Sequence, residues 1–358
     1  MLLSAIVPVY SKPQEFLREC IESILGQSFA DFELILVHDA SPDHSLATLK
    51  SYANGDPRIQ IIDLKKHSGV AAARNAGLAR AKGKYVTCVD SDDIVALDYF
   101  RILVDTAEHF ALDMVTSGVT NFQKTQQLQP IKPPNLEKIF RIKTIAPAPT
   151  VQHFICRLFR RSTIGALRFD ENLHAGEDIL FIHQAMLLSQ KYLEINYGGY
   201  CYRHPPAGEL EAYRAQFCSM EHSEDCGLSR RIGETLYLAQ RLCDLEKFAK
   251  NSTDIAFIRY LATRRFLRYA DRIWQLPSRR ERIFFWEKFC EVFVNKIQSQ
   301  LSHRLWKLFL EKIFAPKKMR WYSRAQIYCA RIAYEIYNIR QNMGRFLNFI
   351  KLYFTGAC

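Results

Sequence analysis

The chain has 358 residues, 48% hydrophobic and 24% charged, with 49 Lys and Arg against 37 Asp and Glu for a formal net charge of +12. Those proportions exclude a disordered polyelectrolyte, a collagen-like repeat and a miniprotein, and the length carries one large or two to three smaller domains. The charge is uneven: residues 1–240 hold 25 basic and 28 acidic side chains, residues 241–358 hold 24 basic and 9 acidic, so a slightly acidic body precedes a strongly basic tail.

Ala5-Ile-Val-Pro-Val-Tyr10 is a short run rich in β-branched residues and predicts a buried strand. Residues 14–27 then place Phe16, Leu17, Cys20, Ile21, Ile24 and Leu25 on one helical face. Leu34–His38 predicts a second strand, ending in the turn Asp39-Ala-Ser-Pro-Asp43. A helix over about 44–53, a strand Ile59–Asp63 and an Ala-rich helix Val70–Lys82 follow, the last expected to stop at Gly83. Tyr85–Val89 is a fourth strand and runs straight into Asp90-Ser-Asp-Asp93. Strands alternating with helices predict a parallel sheet covered on both faces, with ligands at the carboxyl ends of the strands. Asp39 and the Asp90–Asp93 cluster both fall there.

Beyond Leu112 the pattern loosens. Five prolines between 121 and 150 suggest a long loop or flap. Structure is expected to resume near Val151–Arg161, then come Asp170-Glu171, Glu177-Asp178 with an apolar run to Leu188, and strand and loop over 192–204. A boundary is expected within 205–240, and the remainder reads as helices rich in basic and aromatic residues. No apolar run reaches 18 residues, so no membrane span is predicted. The N-terminus lacks a basic leader and reads as a strand, which predicts a cytoplasmic protein. The ten cysteines form no CxxC pair and read as reduced, mainly buried thiols.

Four constellations carry chemistry, each with a plainer alternative. Asp90 and Asp92, two residues apart past a strand, can reach one hard divalent cation, or can belong to a turn that caps the next helix. Glu177-Asp178 at a helix start can supply a general base, or can complement the helix dipole. Arg74-Asn75 can contact a diphosphate or a sugar, or form the polar side of the Ala-rich helix. Arg203-His204 can touch phosphate or metal, or be a surface ion pair and a loop histidine. No P-loop or dinucleotide glycine spacing is present.

Taken in order, these segments resemble the bacterial family 2 glycosyltransferases of the GT-A fold over roughly residues 3–205. Ser4-Ala-Ile-Val-Pro-Val-Tyr10, Ser23-Ile-Leu-Gly-Gln-Ser-Phe29 and Phe32–Val37 are similar to the family's opening strand, helix and second strand. Gly69-Val-Ala-Ala-Ala-Arg-Asn-Ala-Gly77, Gly83–Asp93 and Gly176-Glu-Asp-Ile-Leu-Phe181 are similar to its Ala-Arg-Asn helix, metal-binding strand with D-x-D, and catalytic Glu-Asp. Two departures stand out. The usual Asp-Asp-Gly-Ser after the second strand is His38-Asp39-Ala40-Ser41 here, and the usual Asn before the Gly-rich helix start is replaced in His67-Ser68.

The resemblance implies an α/β GT-A nucleotide-sugar-binding domain, its mostly parallel sheet with helices on both faces, followed by a helical basic C-terminal domain. Residues 1–112 would be the nucleotide-sugar half, 113–205 the acceptor half, 206–240 a connection and 241–358 the basic-aromatic region. It implies an inverting transfer of a hexose or N-acetylhexosamine from a UDP-sugar to a surface-glycan hydroxyl, in capsule, lipopolysaccharide or exopolysaccharide. Pro8, Val9, Tyr10, Asp39, Arg74, Asp90, Ser91 and Asp92 would contact the donor. Manganese or magnesium would sit on Asp92 and Asp90, with His204 a further ligand. Asp178, beside Glu177, would be the base. An inactive nucleotide-sugar-binding scaffold and a retaining transferase are the alternatives.

Residues 241–358 hold all four tryptophans, and Arg264, Arg268 and Arg272 recur every fourth position. That cationic amphipathic pattern fits peripheral contact with an anionic membrane carrying a lipid-linked acceptor. An ordinary helical domain and an oligomerisation surface fit it too. The acidic body and the absence of a nucleic-acid motif disfavour a nucleic-acid partner.

Overall fold

The structure is a computed structural model of the chain. It describes residues 1–125, 130–134, 154–204 and 224–250, with isolated positions up to 284. The proline-rich stretch falls mainly outside the described residues. The four tryptophans and the Arg264–Arg272 face fall entirely outside them. The chain divides into two compact units, Met1–Glu221 and His222–Cys358. Among the described residues no helix is long and apolar enough to cross a membrane.

In the first unit, β1 (Leu3–Val9), β2 (Phe32–His38), β3 (Ile59–Asp63) and β4 (Tyr85–Cys88) alternate with α1 (Gln14–Leu25), α2 (Ser45–Gly55) and α3 (Gly69–Arg80). After β4 come β5 (Ile94–Val95), α4 (Tyr99–Phe110), β6 (Met114–Thr116) and β7 (Val119–Phe122). Then follow β8 (Arg157–Arg160), α5 (Arg161–Ile164), α6 (Glu177–Leu188), β9 (Tyr192–Glu194) and β10 (Tyr200–Arg203). The main sheet has seven strands in the order β3-β2-β1-β4-β8-β6-β9, and β5-β10-β7 form a second sheet. The fold is mixed α/β with a mostly parallel central sheet.

All seven residues of β1 and of β2 are buried, as expected of central parallel strands covered on both faces. The α1 stripe Leu17, Cys20, Ile21 and Ile24 is buried at helical spacing, and each fully buried aliphatic there contributes about 1.5–3 kcal/mol. The second unit's described part is α7 (Glu224–Cys243) and a 3-10 turn Asp244–Phe248. Helix α7 runs across positions 240 and 241, the expected edge of the basic tail.

Two elements differ from the sequence-based expectation. β8 runs antiparallel to both neighbours, β4 and β6. The chain leaves β6 at its carboxyl end through β7, so it re-enters the sheet from that end and runs the other way. Gly83 does not stop α3, which ends at Arg80 with Ala81 as its cap. Instead a Cβ at Gly83 would lie 2.6 Å from the Leu3 carbonyl carbon and the Ser4 nitrogen. The glycine lets the chain entering β4 press against β1.

Candidate active site

Strand order reverses between β1 and β4, and the crevice at such a switch point is where α/β sheets bind ligands. A cleft of about 330 Å³ opens there, lined by Pro8, Val9, Tyr10, Lys12, Asp39, His67, Val70, Ala73, Arg74, Asp90, Ser91 and Asp92. The eight residues read from the sequence as donor contacts all face this cleft. Lys12, His67, Val70 and Ala73 are additions. Val70 and Ala73 follow from the helical spacing that carries Arg74, whereas nothing at the sequence level marks Lys12.

The loops that build the rim are strained. Ser11 and Ala40 both hold positive φ, 45° and 49°, a region that costs non-glycine residues about 1–2 kcal/mol. The surroundings hold them there: Asp39 N–H donates to Val9 O at 3.0 Å, and Ser11 N–H donates to Ser41 Oγ at 2.8 Å. Such strain concentrates at binding sites.

Asp39 is 1% exposed and ties the end of β2 to the loop that opens α3. Its Oδ1 accepts Ser68 N–H at 2.7 Å, and its Oδ2 accepts Gly69 N–H at 2.9 Å. His67 Nδ1 lies 2.8 Å from the same Oδ2. Gly69 opens α3 at φ 87°, a value glycine takes freely. The His67 ring stacks on Tyr10, centroids 3.7 Å apart and planes at 18°. His38 plays no part in the cleft: it turns to the sheet edge, where Nδ1 lies 2.8 Å from Asp63 Oδ1. That hydrogen bond lowers the Asp63 pKa. The His38 departure from the family pattern therefore falls outside the cleft lining, and the His67 departure falls inside it.

The acidic turn after β4 splits its three carboxylates. Asp90 and Asp92 face the cleft, each beside a cation: Arg74 Nη2 is 3.0 Å from Asp90 Oδ1, and the Lys12 ammonium pairs with Asp92 Oδ2. Asp93 turns inward and is 1% exposed. It accepts Tyr200 Oη–H at 2.7 Å and Arg203 N–H at 2.8 Å. Burial first, then the Asp90 and Asp92 charges, push its pKa up to about 8. The turn leads into β5 and not into a helix, so the helix-cap alternative does not apply to it.

Arg74 joins the two acidic clusters. It is 5% exposed, and its Nη1 donates to Glu177 Oε1 at 2.9 Å while Nη2 holds Asp90. The Phe154 and Phe169 rings lie 5.1 and 5.4 Å from its guanidinium carbon. Burial works against its charge, but Asp90 and Glu177 outweigh burial and hold it firmly protonated. Its Nε is buried with no hydrogen-bond partner, a donor left over at the cleft wall. Glu177 is 7% exposed. Burial, then Asp178, raise its pKa against the pull of Arg74. Asp178 is half-buried, and its Oδ1 accepts Ile179 N–H at 2.7 Å. Both acids open α6, outside the cleft lining.

Arg203 and His204 do not line the cleft either. His204 is exposed, with Nε2 3.0 Å from Asn121 Oδ1. Arg203 is 4% exposed, so it is neither a surface ion pair nor a phosphate contact of the cleft. Among the described residues no group of three or more His, Cys, Asp or Glu side chains could hold a metal ion. The carboxylates that face the cleft, Asp90 and Asp92, are oxygen donors of the kind a hard divalent ion would accept, and Asp92 now pairs with the Lys12 ammonium.

Comparison with known proteins adds family and fold. The model of "Glycosyl transferase family 2" matches residues 4–167. The "Uncharacterized glycosyltransferase EpsJ" of Bacillus subtilis is 33% identical over 216 residues, 57% of this chain and 62% of the relative. The "Minor teichoic acid biosynthesis protein GgaB" of the same organism is 29% identical over 204 residues, 56% of this chain and 23% of the relative. The chain thus spans less than two thirds of the length of these relatives. S. aureus TarS aligns over 93% of this chain and 55% of its own, with a TM-score of 0.61 and 18% identity. TarS 1–349 in complex with UDP-GlcNAc aligns over 99% and 92%, with a TM-score of 0.54 and 16% identity. Residues 4–167, which carry the chain from Ser4 of β1 through β8 and every cleft-lining side chain, match the model of glycosyl transferase family 2.

Proposed function

We propose that the chain is an inverting glycosyltransferase that moves a hexose or N-acetylhexosamine from a UDP-sugar to a hydroxyl of a surface-glycan acceptor. The observation that carries this reading is the convergence of Pro8–Tyr10, Asp39, Arg74 and Asp90–Asp92 on one cleft. Tyr10 offers an aromatic face to a nucleobase, and His67, now stacked on it, gives way or reorients when a base enters. Asp39 holds the turn beneath. At the other end Lys12, Arg74 and the acidic turn meet the diphosphate. GgaB, named for teichoic acid biosynthesis, supports a surface-glycan acceptor.

A divalent cation, manganese or magnesium, held by Asp92 and Asp90 would neutralise charge on the departing diphosphate. The chain's own residues do the rest. Asp178 takes the proton of the acceptor hydroxyl as that oxygen attacks the anomeric carbon, and base catalysis of this kind contributes about 100- to 10,000-fold. Glu177 is the weaker candidate, because its carboxylate is committed to Arg74 at 2.9 Å. Arg74 keeps Asp90 and the start of α6 in one frame. His204, placed on Asn121, is left without a role at the cation. The +15 surplus of residues 241–358 suits a cytoplasmic enzyme held against an anionic membrane where a lipid-linked acceptor resides.

The test is turnover of a UDP-sugar panel on membrane-derived acceptor, with and without chelator, for wild type, Asp92→Ala and Asp178→Asn. The reading expects one donor to be consumed, Asp92→Ala to abolish consumption, and Asp178→Asn to bind donor without transfer. Donor binding with no transfer by the wild type on any acceptor fraction turns the reading into the scaffold alternative. A product with the donor's anomeric configuration turns it into a retaining transferase.

A further inference from the structure

We propose that Arg203 is a positioning residue for the acidic turn, fixing Asp92 through its backbone so that its carboxylate stands correctly at the diphosphate end of the cleft. The proposal rests on the nucleotide-sugar reading above. Arg203 closes β10, and its Nε–H donates to the Asp92 carbonyl at 2.6 Å. Its Nη2 donates to Glu19 Oε2 of α1 at 2.6 Å, and Nη1 reaches Thr125 Oγ1 at 3.5 Å. The guanidinium is sandwiched between the Phe16 ring at 4.1 Å and the Phe122 ring at 4.5 Å. Its own N–H holds the carboxylate of Asp93 at 2.8 Å.

One residue thus holds two consecutive positions of the turn, Asp92 through its buried guanidinium and Asp93 through its backbone N–H, the guanidinium reaching back 111 positions in the chain. Burying a charge is costly, and well-packed apolar side chains fill such a space at least as well. What an apolar side chain cannot do is donate to a carbonyl while stacking on two rings, a combination particular to the planar guanidinium. Within the turn the main-chain closure is one hydrogen bond, Asp93 N–H to Asp90 O at 3.0 Å. A displacement of about 1 Å at a reacting centre costs roughly 100-fold, so an anchor at Asp92 acts on binding and rate without touching ligand.

The experiment measures UDP affinity with Mn²⁺, uridine affinity and melting temperature for wild type, Arg203→Met and Arg203→Lys. Expected is a loss of about tenfold or more in UDP affinity for Arg203→Met with uridine within about twofold, since the diphosphate end alone is disturbed. Arg203→Lys, which keeps the charge beside Glu19 but not the fork, should recover part of that loss. Equal weakening of UDP and uridine, or no weakening of either, overturns the proposal. Should Arg203→Met not fold, Glu19→Gln slackens one anchor of the guanidinium. It should weaken UDP by about threefold and spare uridine, and unchanged UDP affinity overturns the proposal as well. A wild type that binds neither ligand sinks the nucleotide-sugar reading and this proposal with it, which is distinguishable from a wild type that binds both.

Discussion

The acidic turn after β4 and the acidic pair that opens α6 are alike in sequence and opposite in construction. In the turn, Asp90 and Asp92 reach the cleft and Asp93, next in the chain, is sealed inside under Tyr200 and Arg203. In the pair, Glu177 is buried against Arg74 and Asp178 stays half-buried. Each cluster therefore holds one acid in the interior and sets its neighbour at a less buried position. Arg74 is the shared element, with one nitrogen on each cluster. The comparison teaches that neighbouring carboxylates acquire different tasks from burial and from the cations set beside them.

The largest expected effect separates the two acids of α6. Asp178→Asn should cut turnover by about 100- to 10,000-fold, while Glu177→Gln, which keeps a hydrogen-bonding oxygen toward Arg74, should cost far less. Single-turnover rates for the two variants check this, and equal losses would break the division of labour. Next comes the link itself. Arg74→Met leaves Glu177 and Asp90 uncompensated and should destabilise the protein by about 3–5 kcal/mol. Adding Glu177→Gln should restore part of that, as a denaturant double-mutant cycle would reveal.

A pH effect of intermediate size sharpens the turn. The folded protein keeps the Asp93 proton up to about 8, whereas the unfolded chain releases it near pH 4. The folded state binds the extra proton between those values, so this contribution to stability is full below about pH 4 and lost as pH rises through 8. In chelator, the wild type should lose stability relative to Asp93→Asn between pH 5 and 8.5. Parallel melting curves for the two would refute it. The smallest effect concerns the exposed end of the turn. Lys12→Met removes the ammonium beside Asp92 and should tighten Mn²⁺ binding in the absence of UDP by roughly three- to tenfold. Water-proton relaxation would report that.

Much of the donor side was legible because its residues sit on short, regular, contiguous motifs. Pro8–Tyr10 span the end of β1, Asp39 follows β2 and Asp90–Asp92 follow β4, so parallel order alone brings them to one edge. Lys12 carried no such mark, and its place depends on the strained turn at Ser11. The interior place of Arg203 is not legible, since a single Arg-His dipeptide says nothing about rings supplied by α1 and β7. His204, a cation ligand on the family resemblance, lies just past the end of β10, exposed and beside Asn121.

The alternating strand–helix order, the burial of β1 and β2, and the carboxylates at the strand tips are legible in the linear pattern, because hydrophobic period and turn chemistry are local properties. Long-range packing sets which acid of each cluster is buried, where His38 turns, that β8 runs antiparallel, and that Arg74 and Arg203 are interior cations. Those outcomes depend on contacts between segments up to 184 residues apart, as in Arg203 with Glu19, and the energy of a buried charge is set by all the groups that surround it at once.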